Sequence, residues 1–124
     1  MGWPPQIGEL LPRAEDAFGV RHKLATYSLD RKHVRGRAKA KGFETILGIT
    51  VESIDYLEEQ IYLGICIHPI FSIRENWPHG TACTVDWEIH GIGRHSARIV
   101  PLRTAWLYST PAAAPRLTNT YLKP

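Results

Sequence analysis

Cysteine and methionine are scarce in this chain, and long apolar runs are missing altogether. Two cysteines, Cys66 and Cys83, among 124 residues do not make the disulfide framework of a small secreted domain, which points to a reducing compartment. A membrane-crossing helix needs about 18 apolar residues in a row. The longest candidate, Ile61 to Ile73, is cut by His68, Pro69 and Ser72. The start, Met1-Gly2-Trp3-Pro4-Pro5, lacks the charged and apolar regions of a signal peptide, and Gln6 stands where a myristoylation signal has Ser or Thr. The expectation is a cytoplasmic protein without membrane contact, or a delivered domain if the chain is part of a longer one. Cys66, His68, His79, Cys83 and His90 fall within 25 residues, yet they match no zinc spacing. No phosphate-cradling loop is present either, because Gly91 and Gly93 lie in a turn between strands with no helix after them. Neither a metal nor another cofactor is expected.

One absence is local. Residues 31–41 hold six Lys or Arg and one His with no Asp or Glu, while the other nine basic residues face all twelve acidic ones, a balance of −3. A positive patch on an otherwise slightly acidic protein suits an anion such as phosphate, because a patch focuses the field more than a diffuse excess does. A solvated helix start explains the same charges without a ligand.

Length and an ordinary share of apolar and charged residues indicate one globular domain able to bury about two thirds of its unfolded surface. Residues 1–22, rich in Pro, Gly and charge, read as a lead-in segment with a short helix over 9–18 broken at Pro12; residues 23–124 read as the domain. Leu24, Tyr27 and Leu29 make an apolar strip. A helix runs from about Arg37 to Leu47 and stops at Gly48, as helices commonly do at glycine. In projection Ala40, Phe43, Ile46 and Leu47 form its buried stripe, and Lys39 falls between Phe43 and Ile46. Arg37 and Lys41 lie on the outer side. Lys39 must therefore snorkel or aim an ammonium into a site.

Thr50 or Ser53 caps a second helix reaching about Leu63, with Ile54, Leu57 and Ile61 inward. The period then changes to two: Cys83, Val85, Trp87 and Ile89 alternate with Thr84, Asp86 and Glu88. A turn over 90–94 leads to a strand over 96–108, where Pro101 implies a bulge or an edge. Val100, Leu102, Thr104, Trp106 and Tyr108 share one face of it and Arg103 takes the other. A last strand over 116–122 places Leu117 and Tyr121 inward and Arg116, Thr118 and Thr120 outward. Helices followed by an antiparallel meander make an α+β fold in which N-terminal helices pack on the sheet.

His33, Lys39, Arg103 and Arg116 are the constellation that metal-independent RNA cleavage can use, with a group for proton transfer and fixed cations around the phosphorane charge. The runs "LPRAEDA", "KLATYSLD", "KHVRGRAKAKGFETILGI", "GTACTVDWEI", "RTAWL" and "PRLTNTYL" carry a resemblance to the bacterial domain-of-unknown-function 6883 family over about 11–122. Its most specific part is His33, Gly36, Lys39, Ala40, Phe43 and Gly48 in register. The family's layout is similar to toxin ribonucleases grouped with barnase, EndoU, colicin and RelE. That resemblance implies His33, Lys39, Arg103 and Thr104 as the catalytic set of a toxin-type endoribonuclease, with Arg35, Arg37, Lys41, Arg116, Thr118 and Asn119 contacting RNA. The alternative is a binding module without catalysis, recognising RNA or a protein such as a cognate antitoxin or immunity protein. Two departures stand out: Asn119 replaces the usual Thr, and Val34 replaces the Pro after the loop His.

Overall fold

A computed structural model describes residues 2–124. Three helices precede four strands: α1 (Val20–Lys23), α2 (Arg37–Gly42), α3 (Ile54–Ile67), β1 (Ile70–Asn76), β2 (Gly80–His90), β3 (Ile99–Tyr108) and β4 (Arg116–Leu122). The strands form one antiparallel sheet in the order β1-β2-β3-β4. The helices cover one face. The α+β meander expected from the sequence is the fold of the molecule. Among the described residues no helix is long and apolar enough to cross a membrane.

Local chemistry explains the boundaries. The first two helices each end in a wide turn, Leu24–Ser28 and Phe43–Leu47. The second stops at Gly48, whose φ of 70° lies in the left-handed region that glycine enters freely. Thr50 then accepts from Glu52 N–H while the Ser53 hydroxyl accepts from Thr50 N–H, a reciprocal cap before α3. α3 continues one turn beyond the expected Leu63, to Ile67. At Gly64 the helix lies against Trp87: a Cβ there would sit 2.2 Å from the indole ring. In place of the expected helix over 9–18 there is a single turn at Ala14–Asp16, and Leu11, Ala14, Ala17 and Val20 join the core.

The core face of the sheet is Cys83, Val85, Trp87 and Ile89 on β2 with Leu102, Thr104, Trp106 and Tyr108 on β3, all buried. Pro101 pairs with Glu88 without a bulge, and its carbonyl accepts from Lys123 N–H. The proline nitrogen therefore faces the Lys123 side, where the single reciprocal bond it cannot make falls just past the end of β4 and away from the β2 ladder. β4 corrects the expected alternation. The register shifts between Ala105 and Trp106 so that Thr118 is an extra residue, and an extra residue exchanges the two faces beyond it. Thr120 is consequently buried, and Tyr121 turns outward beside Arg103.

Cys66 and Cys83 are not bonded to each other; Cys66 is exposed and Cys83 buried. Burial, helped by Glu75, pushes the Cys83 thiol from 9.0 up to about 11, and burial pushes the Tyr108 phenol upward as well. Both groups stay protonated in the fold while the unfolded chain ionises nearer the ordinary values. The unfolded state thus binds fewer protons, and stability falls as pH rises from about 9 to about 11. Denaturant midpoints taken across that window are expected to drop less steeply for Cys83→Ala than for wild type; equal slopes would remove Cys83 from the account.

Candidate phosphate-binding row

Strand pairing starts the site. On the sheet face away from the helices, Asp86, Arg103 and Tyr121 lie side by side across β2, β3 and β4, at the usual interstrand spacing of about 4.8 Å. Asp86 accepts from Arg103 Nε and Nη2 at 3.0 and 2.8 Å, a two-point geometry that orients the guanidinium. Their side chains are 18% and 19% exposed. The Asp86 carboxylate, with help from the Tyr121 hydroxyl, holds Arg103 more firmly protonated than usual against the opposing effect of burial. Arg103 also lies over the exposed ring of Phe71, 5.1 Å from its centre.

The helices extend this row. Lys39 lies on the inner side of α2, and its Nζ stands 5.7 Å from the Tyr121 ring centre and 5.1 Å from that of Tyr27. It donates to the Tyr27 hydroxyl over a long 3.4 Å. Lys23 Nζ lies 5.2 Å from the same Tyr27 ring, and the His33 ring meets it edge-on at 4.7 Å. Among the described residues no carboxylate pairs with Lys23 or Lys39. Two ammoniums and an imidazole thus gather about one phenol, neither ammonium in salt-bridge contact with a carboxylate among the described residues.

The loop before α2 makes this approach possible. His33 Nδ1 accepts from the backbone N–H of Arg35 and of Gly36, each at 3.0 Å, and its carbonyl accepts from Arg37 N–H. His33 therefore caps the turn that starts the helix. Because Nδ1 is an acceptor, the proton of the neutral ring is assigned to Nε2, which is then the ring's one donor. Gly36 lies against the Tyr27 carbonyl, leaving no room for a side chain.

Of the four residues expected to be catalytic, His33, Lys39 and Arg103 belong to this row, and Thr104 does not. Thr104 is fully buried on the opposite face, where its hydroxyl donates to the Val85 carbonyl and accepts from Trp106 Nε1. Thr104→Val is expected to cost about 1–3 kcal/mol by leaving the indole N–H unpaired; chemical unfolding measures the loss, and an unchanged midpoint would show that the Trp106 N–H does not need this partner. Thr118, the extra residue of β4, donates to the Ala105 carbonyl. Asn119 shares the outer face with Arg103 and Tyr121, and its Oδ1 is buried without a partner. Arg116 begins β4, about 16 Å along the strand from Tyr121 at 3.3 Å per residue. Arg35, Arg37 and Lys41 are exposed around the start and outer side of α2.

Tyr27, Tyr121 and Asp86 were not among the candidate site residues. Tyr27 resembles any core aromatic in an apolar strip, and the β4 bulge conceals which way Tyr121 points. No group of three or more side chains able to hold a metal occurs among the described residues.

A family model described as Domain of unknown function (DUF6883) matches residues 10–124. That is nearly the whole chain. No curated protein and no solved structure matches it.

Proposed function

We propose that this chain, which belongs to the DUF6883 family, binds single-stranded RNA by its phosphates along the row from Tyr27 to Arg103. The observation that carries this reading is the pair of ammoniums at Tyr27, Lys23 and Lys39, which lie within 5.2 Å of one ring centre with no carboxylate in salt-bridge contact among the described residues. At an effective dielectric of about 20, one phosphate charge about 5 Å from an ammonium gains about 3 kcal/mol. Tyr27, Tyr121 and exposed Phe71 add aromatic faces on which splayed bases of a single strand stack. RNA is chosen over DNA on the likeness to toxin ribonucleases expected from the sequence, and the single-stranded DNA competition below tests that choice.

A second reading rests on one further observation, that the row ends in a carboxylate. A metal-independent ribonuclease needs a base for the 2′-hydroxyl beside cations that stabilise the phosphorane. In that reading Asp86 takes the 2′-hydroxyl proton, Lys39 and Arg103 hold the scissile phosphate, the Lys39 ammonium returns a proton to the leaving 5′-oxygen, and neutral His33 contributes a hydrogen bond from Nε2. The chain is then a toxin-type endoribonuclease, and a cognate immunity protein is its partner.

Purified protein mixed with labelled single-stranded RNA in EDTA, run on native and denaturing gels, separates these readings. Binding alone predicts retarded, intact RNA, competed more weakly by single-stranded DNA of the same sequence. Fragments that disappear with Asp86→Asn establish cleavage. Unretarded and intact RNA contradicts both.

A further inference from the structure

On the far side of α2 from Lys39 lies a cleft of about 670 Å³ between the helix and the turn that joins β2 to β3. Arg31, Lys41, Arg94 and His95 line it together with a single carboxylate, Glu44. Glu44 pairs with Arg31, and among the described residues no carboxylate pairs with Lys41 or Arg94. The cleft is thus left with positive charge, and its volume suits a nucleotide-sized segment better than one small ion.

The turn is fixed in place. Ile92 N–H donates to the Leu47 carbonyl at the end of the α2 segment over 2.9 Å. Gly48 presents no side chain to the turn, and a Cβ there would stand 2.7 Å from His95 Nδ1. The backbone of residues 92–95 closes on itself through His95 N–H to Ile92 O. Arg94 and His95 accordingly project from an anchored loop.

This cleft is joined to the row by a series of depressions with shared walls. Ala38 lines both the hollow beside Lys39 and Tyr121 and a second hollow formed with Arg31, Arg37 and Lys41. Arg31 and Lys41 line both that second hollow and the cleft. Three neighbouring depressions therefore follow one another around α2, and every ionisable side chain in the second hollow is a cation.

The geometry points to a second phosphate subsite, in which Lys41, Arg94 and His95 hold backbone phosphates of the same RNA strand whose other end lies at Lys39. This inference rests on the RNA-binding reading above. It assigns Arg37 to the middle of the path, and it adds Arg94 and His95, which sit about fifty residues away from the basic segment in sequence. A flexible single strand can follow such a path around a helix about 10 Å wide, whereas a stiff duplex cannot.

The test uses the full chain with two fluorescent oligouridylates, one too short to reach past Lys39 and one several times longer. Arg94 and Lys41 are exposed, so Arg94→Glu and Lys41→Glu are expected to fold normally, with wild-type thermal midpoints. Each should weaken the longer RNA about tenfold and lower its salt dependence by about 0.7 in log–log slope per lost phosphate contact. The short RNA should bind both variants about as it binds wild type. Equal losses for the two lengths, or no loss for the longer one while Lys39→Gln weakens both, would overturn the second subsite and leave the row standing. Indifference of both lengths to Lys39→Gln would instead defeat the RNA-binding reading itself. Excess uridine monophosphate should compete for the long RNA only weakly; competition as strong as that of the long RNA would mean that the cleft takes a free nucleotide and would also overturn the inference.

Discussion

Gly36→Ala is expected to cost about 3 kcal/mol of folding stability, while Gly42→Ala, six residues on, stabilises by about 0.5–1 kcal/mol. Both glycines have ordinary right-handed backbone angles, φ −88° and −61°. Inside the helix at Gly42 alanine gains up to about 1 kcal/mol over glycine from propensity, whereas Gly36 is the N-cap, where glycine is itself favoured over alanine. Space decides the sign. A Cβ on Gly36 would stand 2.2 Å from the Tyr27 carbonyl oxygen, whereas a Cβ on Gly42 meets nothing within 4 Å. The obstruction at Gly36 is backbone on both sides, so no rotamer change relieves it. Yielding would move the 30–36 loop away from Tyr27 and carry His33 with it. Equilibrium unfolding in urea reads both changes, and a Gly36→Ala protein as stable as wild type would show that the loop does not need this contact.

Lys39→Gln is expected to weaken single-stranded RNA binding about tenfold to a hundredfold, the range of a hydrogen bond to a charged group. The substitution should cost little stability. Lys39 has no carboxylate partner to strand, and its contacts with the Tyr27 and Tyr121 rings contribute on the order of 0.5–1 kcal/mol at a partly exposed site. A large loss of binding with a small loss of stability is the signature of a ligand contact. Lys39→Arg keeps the charge and should retain most of the affinity. Were the ammonium merely snorkelling, Lys39→Gln and Lys39→Arg would bind alike.

Much of the fold was legible because periodicity reports directly on burial. The alternation over 83–89 and 102–108 assigned Arg103 to the outer face and Thr104 to the inner one, which is where they lie. That same alternation separates Thr104 from the row, since neighbours on a strand point to opposite faces. The end of the α2 segment at Gly48 was equally readable. β1 was not: its register shift at Phe71 breaks the period, and only Ile70 of that strand is buried. The bulge at Thr118 had the larger consequence. It turns Tyr121 toward Arg103 and so creates the aromatic seam that receives Lys39, a contact no local pattern announces. Tyr27 escaped attention for a different reason, because the charges that surround it come from the two helices and a loop that meet only in the folded chain.

Equilibrium titration of a fluorescent oligouridylate with wild type and Lys39→Gln, at several potassium chloride concentrations in EDTA, tests the row most directly. The account predicts weaker binding by the variant at every salt concentration and a log–log salt slope smaller by about 0.7, the value of one phosphate contact on a single strand. Two superimposable lines would contradict it, because they would mean that no phosphate rests on Lys39.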